Sequence, residues 1–172
     1  MAAQGFREIV LLGQTVNTYT HAGVSFAALL RRLNTVEGLY RIRFTSPHPA
    51  DLTDDVIAAM AECDKVCPQL HLPLQSASNS VLERMKRTYT REEYQDRVAR
   101  LRAALPGLAL STDIIVGFPG ETEEDFRATY DYMAQVRFDS AFMFKYSPRT
   151  HTRAYDWGDS VPDTEKGNRL QA

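Results

Sequence analysis

The sequence predicts an α/β domain on a parallel sheet, either open or curled into an incomplete (β/α) barrel. Three observations carry that expectation. Short apolar runs rich in β-branched residues alternate with amphipathic stretches. Their starts recur roughly every 30 residues, the length of one βα unit. The residues just past each run are polar or glycine, as at the carboxyl ends of sheet strands. At 172 residues the chain has room for one domain with a real core.

Each element has a local reason. Glu8 to Leu12 reads as a strand that stops at Gly13. Phe26 to Leu33 carries apolar residues at helical spacing, and Leu39 to Phe44 is a second strand. Thr53 can cap a helix running through Val56, Ile57 and Met60 to Glu62. Leu70 to Leu74 is a third strand and Val81 to Lys86 a short helix. Thr90 and Glu93, three apart, fit a capping box, and Tyr94, Val98, Leu101 and Leu105 line one face of the helix it starts. Pro106-Gly107 ends that helix, the glycine accepting left-handed geometry. Ala109 to Val116 is a fourth strand, closed by Gly117-Phe118-Pro119-Gly120. Glu121, Glu123, Glu124 and Asp125 suit the positive N-terminus of the next helix, whose buried stripe is expected at Phe126, Tyr130 and Met133. Arg137 to Lys145 is the fifth strand. Residues 1–150 thus make five βα units, and 151–172 decay into a polar tail.

Composition narrows the function classes. A net charge of −2 makes no global basic field, so an RNA substrate would have to be gripped by local patches or by segments outside the chain. No apolar run is long enough to span a membrane, and the first residues lack the order of a signal peptide. Cys63 and Cys67 do not make a secreted disulfide framework, so a reducing cytoplasm is expected.

The candidate chemistry gathers at the strand ends. Gly13, Gln14 and Asn17 follow the first strand; Thr45, Ser46, Pro47, His48 and Pro49 the second; Gln75, Ser76 and Ser78 the third. Lys145, Tyr146, Ser147 and Arg149 follow the fifth. Asp113 lies inside the fourth strand, where a carboxylate beside Ile114, Ile115 and Val116 is costly unless paired or aimed at an open mouth. It could accept bonds from ribose hydroxyls or an amino group, or it could cap a neighbouring loop. His48 and His71 have no partner at metal-binding spacing and are expected to be structural. Arg84, Lys86, Arg87 and Arg91 resemble an RNA patch, but a solvated helix face is the better expectation. Cys63 and Cys67 match the first half of a C-x3-C-x2-C cluster motif, yet the third position is Leu70. Two thiolates do not fill the three protein positions of such a cluster, so both are expected to be structural and no metal ligand is assigned. No G-x-G-x-x-G or P-loop pattern supports an ordinary α/β cofactor enzyme.

Six ordered segments carry a resemblance. They are Leu11-Leu12-Gly13-Gln14-Thr15-Val16-Asn17, Arg43-Phe44-Thr45-Ser46-Pro47-His48-Pro49, His71-Leu72-Pro73-Leu74-Gln75-Ser76, Met85 to Tyr94, Thr112 to Thr122, and Phe138 to Arg149. Together they closely resemble the radical S-adenosylmethionine methylthiotransferases of MiaB type, which add a methylthio group to C2 of N6-isopentenyladenosine at position 37 of tRNA. A relative acting on a ribosomal protein shares the Thr112 to Thr122 stretch but differs after the second and third strands, so the tRNA enzyme is favoured.

The resemblance implies a partial TIM-like barrel of radical SAM type whose first strand and cluster loop precede this chain. It implies S-adenosylmethionine and 4Fe–4S clusters with ligands outside the chain, a tRNA anticodon loop as partner and an electron donor. It also implies a second-cluster domain before these residues and an RNA-binding module after them. In the chemistry it implies, reductive cleavage of the cofactor gives a 5′-deoxyadenosyl radical that abstracts the C2 hydrogen, and a methylsulfide on the second cluster supplies the new group. By family position Gln14 and Asn17 would sit near the methionine end of the cofactor. Ser46, Gln75 and Asp113 would line the ribose and substrate side, and Tyr146 would flank the adenine through its backbone. An isolated domain of this kind would turn nothing over. The competing reading is a binding or scaffold domain that kept the barrel after losing its cluster. Departures from the family pattern are Ala77 in place of glycine, Thr150-His151-Thr152 in place of a proline or glycine turn, and the sequence beyond Lys166.

Overall fold

The computed structural model describes residues 2–172 and divides into two compact units. The first comprises the residues up to Pro73 together with Gln95–Leu110; the second comprises Leu74–Tyr94 and Ser111–Ala172.

In the first unit β1 (Glu8–Leu11) pairs in parallel with β4 (Arg41–Phe44), from Glu8↔Arg41 to Leu11↔Phe44. Between them a small antiparallel hairpin, β2 (Thr20–His21) and β3 (Val24–Ser25), turns at Ala22-Gly23, both at positive φ. This hairpin escapes the sequence pattern because two-residue strands are too short to show a period of two. α1 (Phe26–Asn34) starts where the Ser25 hydroxyl accepts the Ala28 N–H, and the Phe26 ring meets Phe44 edge-on at 5.1 Å. α2 (Asp54–Glu62) starts as predicted, with Thr53 accepting the Val56 N–H. Arg31 of α1 reaches Asp55 and Glu62 of α2 at 2.7 and 2.8 Å, exposed pairs worth little net. β5 (Gln69–His71) follows, and the Ala109 N–H donates to the Pro68 carbonyl.

In the second unit α3 (Asn79–Arg84) is capped by Ser78. α4 (Arg91–Ala104) opens there with the predicted reciprocal box, Thr90 N–H to Glu93 and Glu93 N–H to the Thr90 hydroxyl, then continues in the first unit. β6 (Ala109–Val116) begins in the first unit and pairs from Ser111 onward with β7 (Ser140–Lys145), in parallel, to Val116↔Lys145. α5 (Glu123–Val136) carries a capping box between Thr122 and Asp125. α6 (Arg153–Asp156) and α7 (Asp163–Gln171) follow. Strand and helix alternate as the sequence predicts, the long-range strand pairs are parallel, and no closed barrel forms among the described residues. No helix among them is long and apolar enough to cross a membrane.

Five local expectations change. The third strand is shorter: Pro73 has no N–H for a ladder, and the Leu74 N–H goes to the Thr112 hydroxyl at 2.9 Å. Pairing resumes only at Gln75, whose N–H donates to Asp113 O (2.8 Å) and whose carbonyl accepts from Ile115 (2.9 Å). The buried stripe of α5 is Phe126, Thr129, Tyr132 and Val136, while Tyr130 is exposed. The helix is rotated because the Thr129 hydroxyl accepts the Ala77 N–H and meets the Ser76 hydroxyl, a use for a polar residue that periodicity cannot see. Arg137 is no strand residue but the left-handed cap of α5, at φ 55°. Gly107 does not take positive φ, so Pro106 alone accounts for the stop of α4. The polar stretch from His151 is not structureless, since Asp163–Gln171 is helical with Lys166 and Arg169 buried.

Asp125 binds this unit to itself: its carboxylate accepts from Ser78, Ser80 and the Thr122 N–H. Burial opposes its charge, but those donors win and hold the carboxyl below its ordinary value of 3.8. A depressed pKa contributes stability that is present above the ordinary value and lost as pH falls through the folded one. Asp125→Asn should therefore cost about 1–2 kcal/mol at pH 7 and flatten the acid limb of a denaturant-midpoint profile below pH 4. An unchanged acid limb would show that the carboxylate carries none of that dependence.

Candidate functional site

In the second unit a cavity of about 770 Å³ opens around the carboxyl ends of β6 and β7. Its volume suits a small organic ligand. Ile115, Phe118 and Phe144 give it apolar lining; Gln75, Asp113 and Ser147 give it polar groups; Arg84, Lys86, Arg87, Lys145, Arg149 and Arg153 surround it with positive charge.

The turn after the third strand is built to present Gln75. That residue is buried at φ 71°, a left-handed conformation costly for a side-chain-bearing residue and held here by its two backbone bonds to β6. Ser76, Ala77 and Ser78 then anchor to Thr129 and Asp125. Ala77 does not need positive φ, which explains how alanine can stand there.

The turn after β6 has glycines where the backbone demands them. Gly117 sits at φ +71° with the Lys166 chain pressed against it, so that a Cβ would lie 2.3 Å from Lys166 Cγ. Glu121 folds back to accept the Gly117 N–H at 2.8 Å and the Arg169 guanidinium at 2.7 Å. Burial pushes the Glu121 carboxyl up, while the Gly117 N–H and Arg169 favour its charge. Phe118, carried by this turn, packs edge-on against Tyr146 at 5.2 Å and Trp157 at 6.3 Å.

Lys145 ends β7, where it pairs with Asp163 at 2.8 Å, and the other cations at the cavity come from two places. Arg84 ends α3, and Lys86 and Arg87 follow it in a Schellman-type stop: the Lys86 and Arg87 N–H groups reach the Glu83 and Leu82 carbonyls, with Lys86 left-handed at φ 59°. The sequence reading of a solvated helix face misses this, because the positive φ that swings the chain leaves no mark in a lysine codon. Arg91 does lie outside the cavity, against Glu92. Arg149 and Arg153 flank Thr152, which caps α6 and donates to the Arg149 carbonyl, so that loop is tied down without proline or glycine.

Of the six residues that the resemblance puts at the cofactor, three line one cavity: Gln75, Asp113 and Tyr146. The backbone of Tyr146 is already engaged, its N–H with Val116 O and its carbonyl with Lys166 Nζ, whereas its hydroxyl is buried without a hydrogen-bond partner among the described residues. Gln14, Asn17 and Ser46 belong to the first unit. Gln14 is exposed past β1, and Ser46 is exposed past β4 at φ 57°. Asn17 is buried and clamps the His48 backbone with both ends of its amide, at 3.0 and 2.9 Å. That fixes the Pro47-His48 loop and leaves the amide one N–H and one oxygen lone pair for anything else. His48 itself lies 3.5 Å from Asp51. Cys63 is a buried thiol whose pKa burial raises, Cys67 is half-buried, and both are free.

The model of the radical SAM superfamily matches residues 1–133. The chain belongs to the radical SAM superfamily. Its fold agrees: coproporphyrinogen III oxidase of Escherichia coli, a radical SAM enzyme, superposes with a TM-score of 0.72 at 20% identity, over 96% of this chain and 39% of that one. Methylornithine synthase superposes at 0.65 and 15% identity, over 97% and 47%. This is the partial-barrel α/β class the sequence predicts. Among curated proteins the chain is 52% identical over 99% of its length to the tRNA-2-methylthio-N(6)-dimethylallyladenosine synthase of Clostridium botulinum and 49% identical to that of Syntrophomonas wolfei. It spans only 38% and 39% of the length of those two relatives.

Radical SAM membership implies two groups, and the residues answer differently for each. For an adenosyl ligand they fit: the cavity pairs apolar walls with Gln75, Asp113 and an unpartnered Tyr146 hydroxyl. For an iron–sulfur cluster they do not, because no three His, Cys, Asp or Glu side chains among the described residues gather as metal ligands.

Gly117→Ala should cost more than about 2 kcal/mol in chemical denaturation, through positive φ and the Lys166 clash together. Gly107→Ala, with open space and ordinary φ, should be neutral or slightly stabilising. Equal effects at the two positions would contradict the packing described for Gly117.

Proposed function

We propose that the chain is the barrel portion of a tRNA-modifying enzyme that methylthiolates C2 of N6-isopentenyladenosine at position 37. The observation that carries the reading is the convergence of Gln75, Asp113 and Tyr146 on one cavity large enough for a small organic ligand. It is supported by 52% identity across the chain to a synthase named for that product. On this reading residues 1–150 are a partial barrel, and 151–172 lead from it toward an RNA-binding module; the enzyme works in the cytoplasm.

S-adenosylmethionine, when bound, supplies radical chemistry. The chain's own residues bind and orient. The Asp113 carboxylate accepts hydrogen bonds from vicinal ribose hydroxyls, charge-assisted and therefore stronger than neutral ones. Gln75, held left-handed by β6, offers its amide to the same sugar or to the substrate base. Ile115, Phe118 and Phe144 offer an apolar wall against which an adenine ring can lie. In the first unit Asn17 fixes the His48 loop on which Ser46 and Pro47 sit. The cationic surround meets the phosphates of an anticodon loop, whose adenosine leaves its stack to enter. Cluster ligands and the electron donor come from outside these residues.

The test is to reconstitute the whole protein with iron, sulfide and a reductant, supply isopentenylated tRNA, and digest it for mass spectrometry. A methylthio nucleoside is expected; recovery of the unmodified nucleoside from a protein with full iron content would sink the assignment. Within it, Asp113→Ala should weaken S-adenosylhomocysteine binding about tenfold with melting temperature unchanged. Cys63→Ser with Cys67→Ser should leave iron content unchanged, since the two free thiols gather with no third ligand among the described residues.

A further inference from the structure

α7 carries two of the most buried charges in the chain and contributes no side chain to the cavity lining. Burying a lysine and an arginine is expensive unless each is fully paired, so where their bonds go is informative. Lys166, 2% exposed, lays its methylenes against Gly117 and directs its ammonium to the Tyr146 carbonyl, at 3.3 Å, and to Asp159. Its charge also lies 5.4 Å from the centre of the Tyr146 ring. Arg169 bonds Glu121 twice, carboxylate at 2.7 Å and backbone carbonyl at 3.3 Å, and is itself oriented by Glu165 at 2.9 Å and by the Phe126 ring. Just ahead of the helix, Ser160 accepts the Gly120 N–H at 2.7 Å. Every one of these bonds ends on the segment from Gly117 to Glu121, on Tyr146, or on a residue that steers the donor.

We propose that α7 is a latch, in which Lys166 and Arg169 are positioning residues that hold the Gly117–Glu121 turn and Tyr146 in the geometry that receives an adenosyl ligand. A buried ion pair adds little net stability against an apolar pair of similar size, so stability alone does not account for retaining it. What an apolar pair cannot do is accept the Gly117 N–H and aim Phe118 and Tyr146 at each other across the cavity wall. The ligand half of the proposal rests on the reading of the cavity given above; the mechanical half does not.

The test uses the whole protein and two variants. Glu121→Leu with Arg169→Leu removes both charges together and leaves no orphan ion. Lys166→Met keeps the methylenes over Gly117 and removes only the ammonium. Three quantities are read: melting temperature, affinity for S-adenosylhomocysteine by calorimetry, and hydrogen exchange of the amides from 117 to 121. The latch requires both variants to melt within a few degrees of the parent, to bind about tenfold more weakly, and to exchange those amides about tenfold faster. Binding within about twofold of the parent in a folded variant overturns the positioning role, whether or not exchange changes. If the double variant does not fold, Lys166→Met decides by the same criteria. A parent protein that binds no S-adenosylhomocysteine would instead overturn the reading of the cavity, and the exchange measurement would still judge whether α7 holds the turn.

Discussion

The second unit depends on a carboxylate that cannot reach water. Glu121 lies at the end of the turn that closes β6, and two groups satisfy the same carboxylate oxygen, the Gly117 N–H and the Arg169 guanidinium. Because the carboxylate is buried, neither partner is dispensable: losing one leaves an uncompensated charge in a low-dielectric interior. That obligation ties the turn to α7, and the tie in turn presses Lys166 onto Gly117. The glycine at 117, the cation at 166 and the ion pair at 121 and 169 are one structural statement.

A second constraint works from the other side of the cavity. Pro73 interrupts the sheet, Thr112 takes over the Leu74 N–H, and pairing resumes at Gln75 in a left-handed conformation. The Ser76 to Ser78 turn that follows is held by Thr129 and Asp125 of α5. A strained residue held from both flanks presents its side chain with little freedom, which is what a binding group needs. The hydroxyls of Thr112, Thr129, Ser76 and Ser78 are therefore spent on geometry.

Local capping chemistry was legible in advance. Thr53 needed only its own neighbours to cap α2, and Thr90 with Glu93 needed only three residues of spacing. The face of α5 was not, because which side of that helix is buried depends on a hydroxyl partner some fifty residues away in sequence. The same holds for the cations: Arg84, Lys86 and Arg87 read as a solvated face until a left-handed Lys86 turns the chain toward the cavity. Of the predicted site residues, Gln75, Asp113 and Tyr146 converge because they sit at neighbouring strand ends, which periodicity locates. Asn17 was singled out as a polar residue after a strand, but only coordinates reveal that its amide is committed to the His48 backbone.

By itself the sequence determined the alternation of strands and helices, the caps that begin them, the set of residues at the strand ends and the superfamily. Each of these is written in short-range pattern or in ordered motifs. Only the tertiary structure decided what the last stretch of the chain does. Lys166 and Arg169 belong to a segment that reads as polar and unpatterned, and burial of a charge is decided by a distant partner of opposite sign and a glycine small enough to lie beneath it. No local rule predicts that, because the energy that permits it is wholly long-range.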